Sequence, residues 1–387
     1  MEVIGAAVIG GGAVGCAVAW ELARSGVTDL FLFERLDGVG EAQSGRNSGV
    51  IHAGIYYAAG SVKAALCPEA NGLMYEFCRR HGVPHAPVGK LVVAASADEL
   101  PGLDAVCAQA EANGVPGARR LDRAGVRTLE PNVDVPAALH TPTTGIVDAA
   151  AYTRTLARLA RGAGAQVVTG FDVVAVEPRG GVFEITGRRG GREESVAAEV
   201  VVNAAGLYAH TIARMVNPDW GFRPVPLRGE YYKFNRRRRT DIWLNGLNVY
   251  PVPQPLRLGD ERLSMVGIHL TPTFGLGRDG RVAVGDTVTV GPEFGPAAGP
   301  EDYGGDRRPA GHFLERAGRY FPNLRLEDLE LDFTGIMVHL PGERDFIIRR
   351  DPRHGDCIHL LGIDSPGLTC SLAIARRVRG LLTGSNG

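Results

Sequence analysis

The first 34 residues of the chain alternate between apolar runs and glycines. Residues 3–9 form a short apolar run that ends in glycines, and residues 14–24 carry small or apolar side chains that favour a helix. A second apolar run, residues 30–33, ends at Glu34. This order predicts a strand, a tight turn, a helix and a second strand, which form a parallel βαβ unit with a right-handed crossover.

The pattern changes after Glu34. Residues 45–60 are rich in Gly, Ser, Asn and Tyr, which suits a loop close to a ligand better than a helix or strand, and residues 61–81 have a helical pattern. Alternating positions then predict antiparallel strands at residues 90–94, 229–234, 248–252 and 263–270. These strands belong to a different layer from the βαβ unit.

Elements of the first type return twice along the chain. They are a helix at residues 149–162 with strands at 166–168 and 199–204, and a last strand and helix at 357–361 and 369–382. Because single cores rarely grow beyond about 250 residues, two domains are expected. We predict an α/β fold, α+β overall, with a Rossmann-type domain (1–85, 145–222 and 331–387) and a second, mainly antiparallel β-sheet domain (86–144 and 223–330).

Three glycines stand at the turn of the βαβ unit. Gly10, Gly12 and Gly15 follow the first strand and open the first helix, whose free N–H groups favour phosphate. They allow, in turn, a tight turn, close approach of a pyrophosphate, and close packing of helix on strand. Glu34 is placed to accept hydrogen bonds from ribose hydroxyls, and it disfavours the 2′-phosphate of NADP. The spacing therefore predicts a dinucleotide site.

Composition narrows the class of protein. The chain has 387 residues, and 42 Lys+Arg balance 43 Asp+Glu, so nucleic acid is not expected as a partner. The six cysteines form no CxxC pair and are expected to be reduced. With no basic leader and no apolar run of about 18 residues, the chain is expected to lack a transmembrane segment and to be a soluble, cytoplasmic protein.

Other chemistries find little support in the pattern. The histidines lack metal-ligand spacing with cysteines or carboxylates, so no metal is expected. Ser365 lies between Asp364 and Pro366 rather than in a GxSxG turn, which disfavours a hydrolase. The arginine run at residues 236–239 is either a solvated turn, the commoner case, or a docking patch for an anionic membrane or partner.

The glycine fingerprint alone does not separate FAD from NAD. An NAD dehydrogenase would normally continue with strand, helix and strand after Glu34, whereas this chain enters the loop GRNSGVIHAGIYY, residues 45–57. A loop of glycines with Arg, Asn and Ser is suited to wrapping the ribityl and pyrophosphate chain of a flavin. FAD is therefore the favoured cofactor.

At this point the sequence resembles the D-amino-acid-oxidase-like flavoproteins, and within them the L-2-hydroxyglutarate dehydrogenase/oxidase family. The similarity extends over essentially the whole chain, and loop 45–57 is its most specific part. The other matching segments are 61–64, 73–84, 89–91, 144–148, 201–208, 228–231, 250–253, 267–272 and 361–369.

The resemblance implies an FAD-binding first domain and a substrate-binding second domain. Whether FAD is covalently attached is left open, since relatives in the wider group attach it at a histidine in a similar loop. The residues that the resemblance and the fingerprint assign to FAD are Gly10, Gly12, Ala13, Val14, Gly15, Glu34, Arg35, Ser44, Arg46, Asn47, Ser48, Val173, Ala205, Gly206, Gly367, Leu368 and Thr369.

The resemblance further implies oxidation of an L-2-hydroxy acid, L-2-hydroxyglutarate or a related compound, to the 2-oxo acid. Hydride would pass from Cα to flavin N5, and the electrons would leave to O₂ or to a quinone or other carrier. His52 is the leading catalytic residue and His269 the rival base. The candidate substrate ligands are Tyr57, Lys90, Arg228, Tyr231 and Tyr250.

One departure from the family pattern bears on the substrate. Met337 stands where the family typically carries an arginine, so a charge-assisted contact of the strong, bidentate kind is missing. The alternatives are an FAD-dependent amine or amino-acid oxidase acting on a C–N bond, a flavin-bound protein without redox function, and a Rossmann-type NAD protein. All but the last keep the flavin.

Overall fold

The computed structural model describes residues 2–242, 244–258, 261–277 and 279–384. The α-helices are α1 Ala13–Arg24, α2 Val62–His81, α3 Leu100–Ala112, α4 Arg123–Leu129, α5 Ala149–Gly162, α6 Ala209–Val216, α7 Ala310–Gly318 and α8 Gly367–Thr383. The strands are β1 Val3–Ile9, β2 Leu30–Phe33, β3 Val50–Ile51, β4 His85–Ala86, β5 Lys90–Ala94, β6 Arg119–Asp122, β7 Ala137–Thr141, β8 Gly145–Val147, β9 Gln166–Val168, β10 Asp172–Arg179, β11 Val182–Arg189, β12 Arg192–Asn203, β13 Val225–Asn235, β14 Asn248–Pro251, β15 Gln254–Leu258, β16 Glu261–Met265, β17 His269–Leu276, β18 Val282–Pro296, β19 Leu329–His339, β20 Ile347–Arg350 and β21 Cys357–Leu361.

The first of two compact units comprises Met1–Asn47, Ala149–Pro226 and Met337–Gly387. Its sheet has the order β10-β11-β12-β1-β2-β9, with β21 beside β12 and β20 beside β21. Strand β1 pairs in parallel with both β12 and β2, and helix α1 packs against α5 and α8. A strand enclosed in this way is apolar along its whole length, which is why residues 3–9 contain no alternation.

The second unit comprises Ser48–Asp148 and Leu227–Ile336. Its main sheet has the order β19-β13-β18-β17-β14-β5-β7-β6, and two smaller sheets are β3-β8-β4 and the hairpin β15-β16. From β13 to β6 in this order, each strand pairs antiparallel with the next, except that β14 runs parallel to β5. The predicted α/β fold with a mainly antiparallel second sheet is confirmed.

The main sheet of the second unit separates two kinds of surface. Leu91 and Val93 of β5, together with Val249 of β14, enter a large apolar core on one face. Side chains alternate along a strand, so Lys90 of β5 and Tyr250 of β14 lie on the other face. The register Val249↔Leu270 also makes Tyr250 a cross-strand neighbour of His269. The alternation thus brings distant polar residues together on one face.

The structure differs from the sequence-based domain bounds at residues 48–85, which group with the second unit rather than with the Rossmann-type unit. The reason is strand pairing, since β3 and β4 both pair with β8 of the second unit. The predicted strand at residues 263–270 is also interrupted, because β16 ends at Met265 and β17 begins at His269.

The arginine run at residues 236–239 is neutralised by acids of its own unit. Arg236 and Arg237 pair with Asp286, Arg238 pairs with Glu330, and Arg239 pairs with both Asp241 and Asp328. This pairing favours the turn over the docking patch. Over the described ranges, none of the helices has the length and apolar character needed to cross a membrane.

Candidate active site

The glycine turn after β1 has no room for side chains. Gly10 has φ +109°, and a Cβ at Gly10 would lie 2.4 Å from the carbonyl oxygen of Ala204. A Cβ at Gly15 would lie 1.9 Å from the Gly10 carbonyl oxygen. The backbone is therefore bare where a pyrophosphate would approach the start of α1, as a dinucleotide such as FAD requires.

Glu34 closes one side of this turn. Its Oε2 accepts a hydrogen bond from the Gly11 N–H at 2.6 Å, and its Oε1 accepts one from the Leu36 N–H at 2.8 Å. Burial raises the pKa of the Glu34 carboxyl, and the backbone N–H donors limit the rise. The side chain is thus fixed at the end of β2, with lone pairs left for ribose hydroxyls.

The segment before the loop of residues 45–57 is fastened to α1. The Ser44 hydroxyl accepts a hydrogen bond from the Ala13 N–H at 2.9 Å, and the Asn47 amide donates to the Gln43 and Ser44 carbonyls at 3.2 and 2.6 Å. The guanidinium of Arg35 lies 4.7 Å from the centre of the Tyr208 ring. These residues therefore hold the local fold around the turn.

The remaining residues assigned to FAD in the first unit are spread over its sheet and last helix. Val14 is half-buried in α1 and Arg46 is exposed. Val173 is half-buried on β10, opposite Gly187, and the Ala205 N–H donates to Asn203 Oδ1 at 3.3 Å. Gly206 has φ +55°, and Gly367, Leu368 and Thr369 form the first turn of α8. With the bare glycine turn and Glu34, this set fits an adenine dinucleotide.

In the second unit a polar cluster lies on the face of the main sheet that carries Lys90. The Lys90 ammonium is 3.7 Å from the centre of the Tyr250 ring, and the rings of Tyr250 and His269 stack with 3.7 Å between their centroids. All three residues are buried. The sequence assigned each of them to substrate or catalysis from separate motifs, and the fold brings them into contact.

His269 is held at both ring nitrogens. Its Nδ1 lies 3.0 Å from the Gly267 carbonyl oxygen, an acceptor, so the proton of the neutral ring is on Nδ1. Its Nε2 faces the Ser48 hydroxyl at 3.4 Å. Burial, with a smaller contribution from the Lys90 charge, lowers the pKa of His269 to about 3, so the ring is neutral at pH 7.

His52 follows β3 and is half-buried. Its carbonyl oxygen accepts a hydrogen bond from the Asn71 amide at 3.0 Å, which fixes the backbone of the loop against α2. Removal from solvent, followed by the charge of Lys90 and the nearby His269, lowers the pKa of His52 well below its usual value. His52 is therefore a neutral imidazole near Lys90 and His269.

Ser48 and two tyrosines complete the polar groups of this unit that the sequence assigned to a ligand. The Ser48 hydroxyl, assigned to FAD from the sequence, lies 3.4 Å from the Tyr231 hydroxyl as well as beside His269. Tyr231 stacks on Phe333, and burial raises its pKa to about 12. Tyr57 is half-buried, and its carbonyl accepts from the Asn113 amide at 2.9 Å. The Tyr231 hydroxyl is therefore an un-ionised donor at neutral pH.

Arg228 has a different setting from the one its motif suggested. Its guanidinium donates to Glu230 Oε1 at 3.1 Å, to Asp302 Oδ2 at 2.9 Å and to the Asp306 carbonyl at 2.5 Å. The three N–H-bearing nitrogens are thus engaged by the chain itself, and two carboxylates balance the charge. We reassign Arg228 from substrate binding to structural pairing within β13 and the segment around Asp302.

Two features were missed by sequence reasoning. The Tyr56 hydroxyl is buried without a hydrogen-bond partner, and its ring lies 5.6 Å from the Lys90 ammonium. The only signal was its neighbour Tyr57. In the first unit, Asp351 accepts hydrogen bonds from Trp220 Nε1 at 2.6 Å and from the Asn217 amide, and it lies 3.2 Å from His359 Nε2. This buried network links β21 to α6, and no motif marked it.

Met337 is half-buried on β19 and presents a thioether where the family pattern has a guanidinium. Among the side chains that the structure describes, no group of three or more His, Cys, Asp or Glu residues is arranged to hold a metal ion.

A protein-family model described as FAD dependent oxidoreductase (DAO) matches residues 6–381 of the chain. L-2-hydroxyglutarate dehydrogenase, mitochondrial, of Bos taurus is 34% identical over 292 residues, which cover 73% of this chain and 60% of the bovine protein. The protein of the same description from Arabidopsis thaliana is 30% identical over 413 aligned positions, covering 97% of this chain and 83% of that protein. The match to the bovine relative thus spans less than two thirds of its length.

Solved structures share the fold. L-alpha-glycerophosphate oxidase from Mycoplasma pneumoniae, determined with FAD bound, superposes with a TM-score of 0.86 at 24% identity and covers 99% of this chain and 95% of its own. Glycine oxidase from Geobacillus kaustophilus superposes with a TM-score of 0.79 at 20% identity, covering 100% and 96%. The resemblance drawn from the loop and strand motifs and the prediction of FAD as cofactor are confirmed. The chain belongs to the FAD dependent oxidoreductase (DAO) family.

Proposed function

We propose that this protein oxidises an L-2-hydroxy acid, L-2-hydroxyglutarate or a close relative of it, to the corresponding 2-oxo acid. The observation that carries the proposal is the polar cluster of the second unit, in which the buried cation Lys90, the un-ionised Tyr250 and the neutral imidazole of His269 share one face of a sheet. A hydroxy acid needs a cation for its carboxylate and a neutral base for its hydroxyl proton. The names of the aligned relatives support the same substrate class.

The cofactor supplies the two-electron chemistry. When bound, FAD accepts the hydride released from Cα of the hydroxy acid. The residues that would hold it are those of the glycine turn and Glu34, because the backbone there is bare and the carboxylate is fixed beside it. The chain's own task is then to bind the substrate, orient its Cα–H bond and take the hydroxyl proton.

His52 is the base in this proposal. Its ring is neutral at pH 7, so an imidazole nitrogen has a lone pair for the proton. His269 is buried, has protein atoms at both nitrogens and is covered on one ring face by Tyr250. His269 therefore acts as a positioning residue that holds Tyr250 and Ser48.

Oxidation of a C–N bond on the same scaffold is the competing function. An amine or amino acid would also lose hydride to FAD, and the missing arginine at Met337 removes one ligand expected for a hydroxy acid of the resembling family. No acidic side chain among the described contacts of the polar cluster offers a counter-charge to a substrate ammonium, however, and Lys90 would repel it. The cluster thus favours a C–OH donor.

The test compares substrate classes by the loss of visible flavin absorbance without oxygen. FAD-loaded protein is mixed anaerobically with L-2-hydroxyglutarate, L-malate and L-lactate, and in parallel with L-glutamate, L-proline and glycine. The proposal expects reduction by hydroxy acids, fastest with L-2-hydroxyglutarate. Reduction by amino acids alone would replace the proposed function with C–N oxidation.

A further inference from the structure

Lys90 is a cation enclosed by aromatic rings. It is the first residue of β5, only 1% of its surface is exposed, and its ammonium lies 3.7 Å from the Tyr250 ring centre and 5.6 Å from the Tyr56 ring centre. Ring faces attract a cation, but each contributes only about 0.5–2 kcal/mol. This is far less than the cost of burying an unpaired charge.

No carboxylate of the described residues pairs with Lys90. The contrast is Arg228, a buried cation of the same unit that is matched by Glu230 and Asp302. Proteins rarely bury a charge without a counter-ion unless a ligand or a shifted pKa compensates for it. Among the residues that the structure describes, Lys90 therefore lacks the anion that Arg228 has.

The described imidazoles and tyrosines that face Lys90 are uncharged at neutral pH. His52 and His269 feel its charge and are neutral, Tyr56 and Tyr250 are un-ionised because burial raises the pKa of both, and Cys67 lies near it on α2. Burial lowers the pKa of Lys90 to about 7, and the nearby Cys67 opposes this change. Near neutral pH free Lys90 is therefore partly deprotonated, and a bound anion would favour its charged form.

We propose that Lys90, framed by Tyr56 and Tyr250, is the anion receptor of this protein and binds a carboxylate of its substrate. The inference rests on the proposed function and deepens it, since it makes a carboxylate on the substrate obligatory and excludes neutral alcohols. It also gives the chain a carboxylate ligand although Met337 supplies no guanidinium. A primary ammonium is a compact point charge, so it donates to a carboxylate without the bidentate fork that a guanidinium offers.

The bound anion has a second effect. The positive charge of Lys90 is one of the causes that lower the pKa of His52 and of His269. Below pH 7, where free Lys90 already carries its proton, a carboxylate paired with it offsets that charge, so the pKa of both imidazoles rises and His52 becomes a stronger base. Substrate binding and base strength are then coupled through Lys90.

The test uses glutarate, a dicarboxylate with no hydroxyl to oxidise, as the probe for isothermal titration calorimetry on the FAD-loaded protein. Titrations at pH 8 in Tris and in HEPES, whose heats of ionisation differ, count the protons taken up on binding. Because Lys90 is mostly neutral at pH 8 when free and charged when paired, wild-type protein is expected to take up about 0.9 proton per glutarate. Dimethyl glutarate, which has no charge, is expected not to bind.

Variants assign that proton to Lys90. Lys90→Met is expected to weaken glutarate binding at least tenfold and to abolish proton uptake, whereas Lys90→Arg keeps an anion ligand without uptake. Lys233→Met is the matched control, because Lys233 lies in the same unit, is partly exposed and is paired with Asp332. FAD content and the unfolding midpoint are measured for every variant.

Wild-type binding without proton uptake, or unchanged affinity in a folded Lys90→Met protein, would overturn the proposal. The wild-type measurement stands even if that variant fails to fold. Glutarate is not oxidised, so failure of the proposed function is seen separately: tight binding with proton uptake but no flavin reduction by any hydroxy acid would leave Lys90 as an anion receptor and refute the substrate class.

Discussion

The ammonium of Lys90 lies 3.7 Å from the centre of the Tyr250 ring, and the ring of His269 stacks on the same tyrosine. One aromatic side chain therefore touches both the buried cation and the fixed imidazole of the second unit. Changes to any of the three residues are expected to be felt by the other two.

The first prediction concerns pH. Binding of an anionic substrate needs a charged Lys90, and burial lowers the pKa of the free residue to about 7. The kcat/KM for L-2-hydroxyglutarate is expected to fall above pH 7, approaching about tenfold per pH unit. The titration of His52 adds no further change to the pH profile in this range, since its pKa lies well below its usual value. Initial rates with a dye acceptor measure the profile, and Lys90→Arg should flatten it. A wild-type profile that stays level to pH 9 contradicts the assignment.

Lys90 is also expected to make the stability of the protein depend on pH. The pKa of Lys90 falls from 10.5 to about 7 on folding, so between these values the unfolded chain holds the proton and the folded one does not. The contribution of Lys90 to the free energy of unfolding therefore rises as pH climbs from 7 to 10.5. Lys90→Met is expected to unfold at a higher temperature than wild type, with a difference that is largest at pH 7 and shrinks toward pH 10. Differential scanning fluorimetry at each pH checks this, and a constant or growing difference would be inconsistent with a charged, buried Lys90.

The two imidazoles are expected to respond differently to substitution. His52→Gln removes the base, so the rate of anaerobic flavin reduction should fall by about 10²- to 10⁴-fold. His269→Gln removes only a positioning residue, and the reduction rate should change by about tenfold or less, with the larger effect on KM. Stopped-flow reduction of both FAD-loaded variants gives the comparison. The reverse order of rates would move the base from His52 to His269.

The glycine turn offers a matched pair of variants. A Cβ at Gly15 would lie 1.9 Å from the Gly10 carbonyl, whereas a Cβ at Gly162, at the end of α5, meets nothing within 4 Å. Gly15→Ala is therefore expected to lose FAD, and Gly162→Ala to keep it with unchanged or slightly higher stability. The ratio of visible to ultraviolet absorbance of the purified proteins reports FAD content. Full FAD content in Gly15→Ala would argue against this turn as the cofactor cradle.

Substitution of Arg228 tests whether this cation has a structural or a substrate-binding role. Arg228→Met leaves the buried Glu230 carboxylate without its partner, which is expected to lower the free energy of unfolding by about 3–5 kcal/mol, and it also removes the contact to the more exposed Asp302. Where the variant folds, KM for the hydroxy acid should stay within about twofold of wild type. Chemical denaturation and steady-state kinetics measure the two quantities. A stable variant with a raised KM would return Arg228 to the substrate site.

The parts of the fold that could be read from the sequence are those where local pattern and burial agree. Helix α5 and strand β21 have the predicted bounds, because each is a continuous periodic or apolar segment with clear ends. Residues 48–85 were predicted with the first unit but group with the second, because β3 and β4 are each two residues long and their pairing with β8 is a long-range contact that no local pattern carries.

The same limit applies to the candidate site. Motifs identified Lys90, Tyr250 and His269 one at a time. Their contact depends on how β14 pairs with β5 on one side and with β17 on the other, and these strands are far apart in the sequence. Arg228 looked like a ligand because its partner Asp302 is 74 residues away. Sequence spacing therefore supplies candidate residues, whereas pairing decides which of them remain available to a ligand.

Single-turnover reduction of the FAD-loaded protein tests directly whether the chain oxidises L-2-hydroxyglutarate. One equivalent of L-2-hydroxyglutarate, the same compound with deuterium at Cα, and D-2-hydroxyglutarate are mixed with the protein anaerobically. We expect the L-enantiomer to bleach the flavin band and yield the 2-oxo acid, more slowly with deuterium, while the D-enantiomer leaves the band unchanged. An unbleached flavin with the L-hydroxy acid, or bleaching by the D-enantiomer alone, would contradict this expectation.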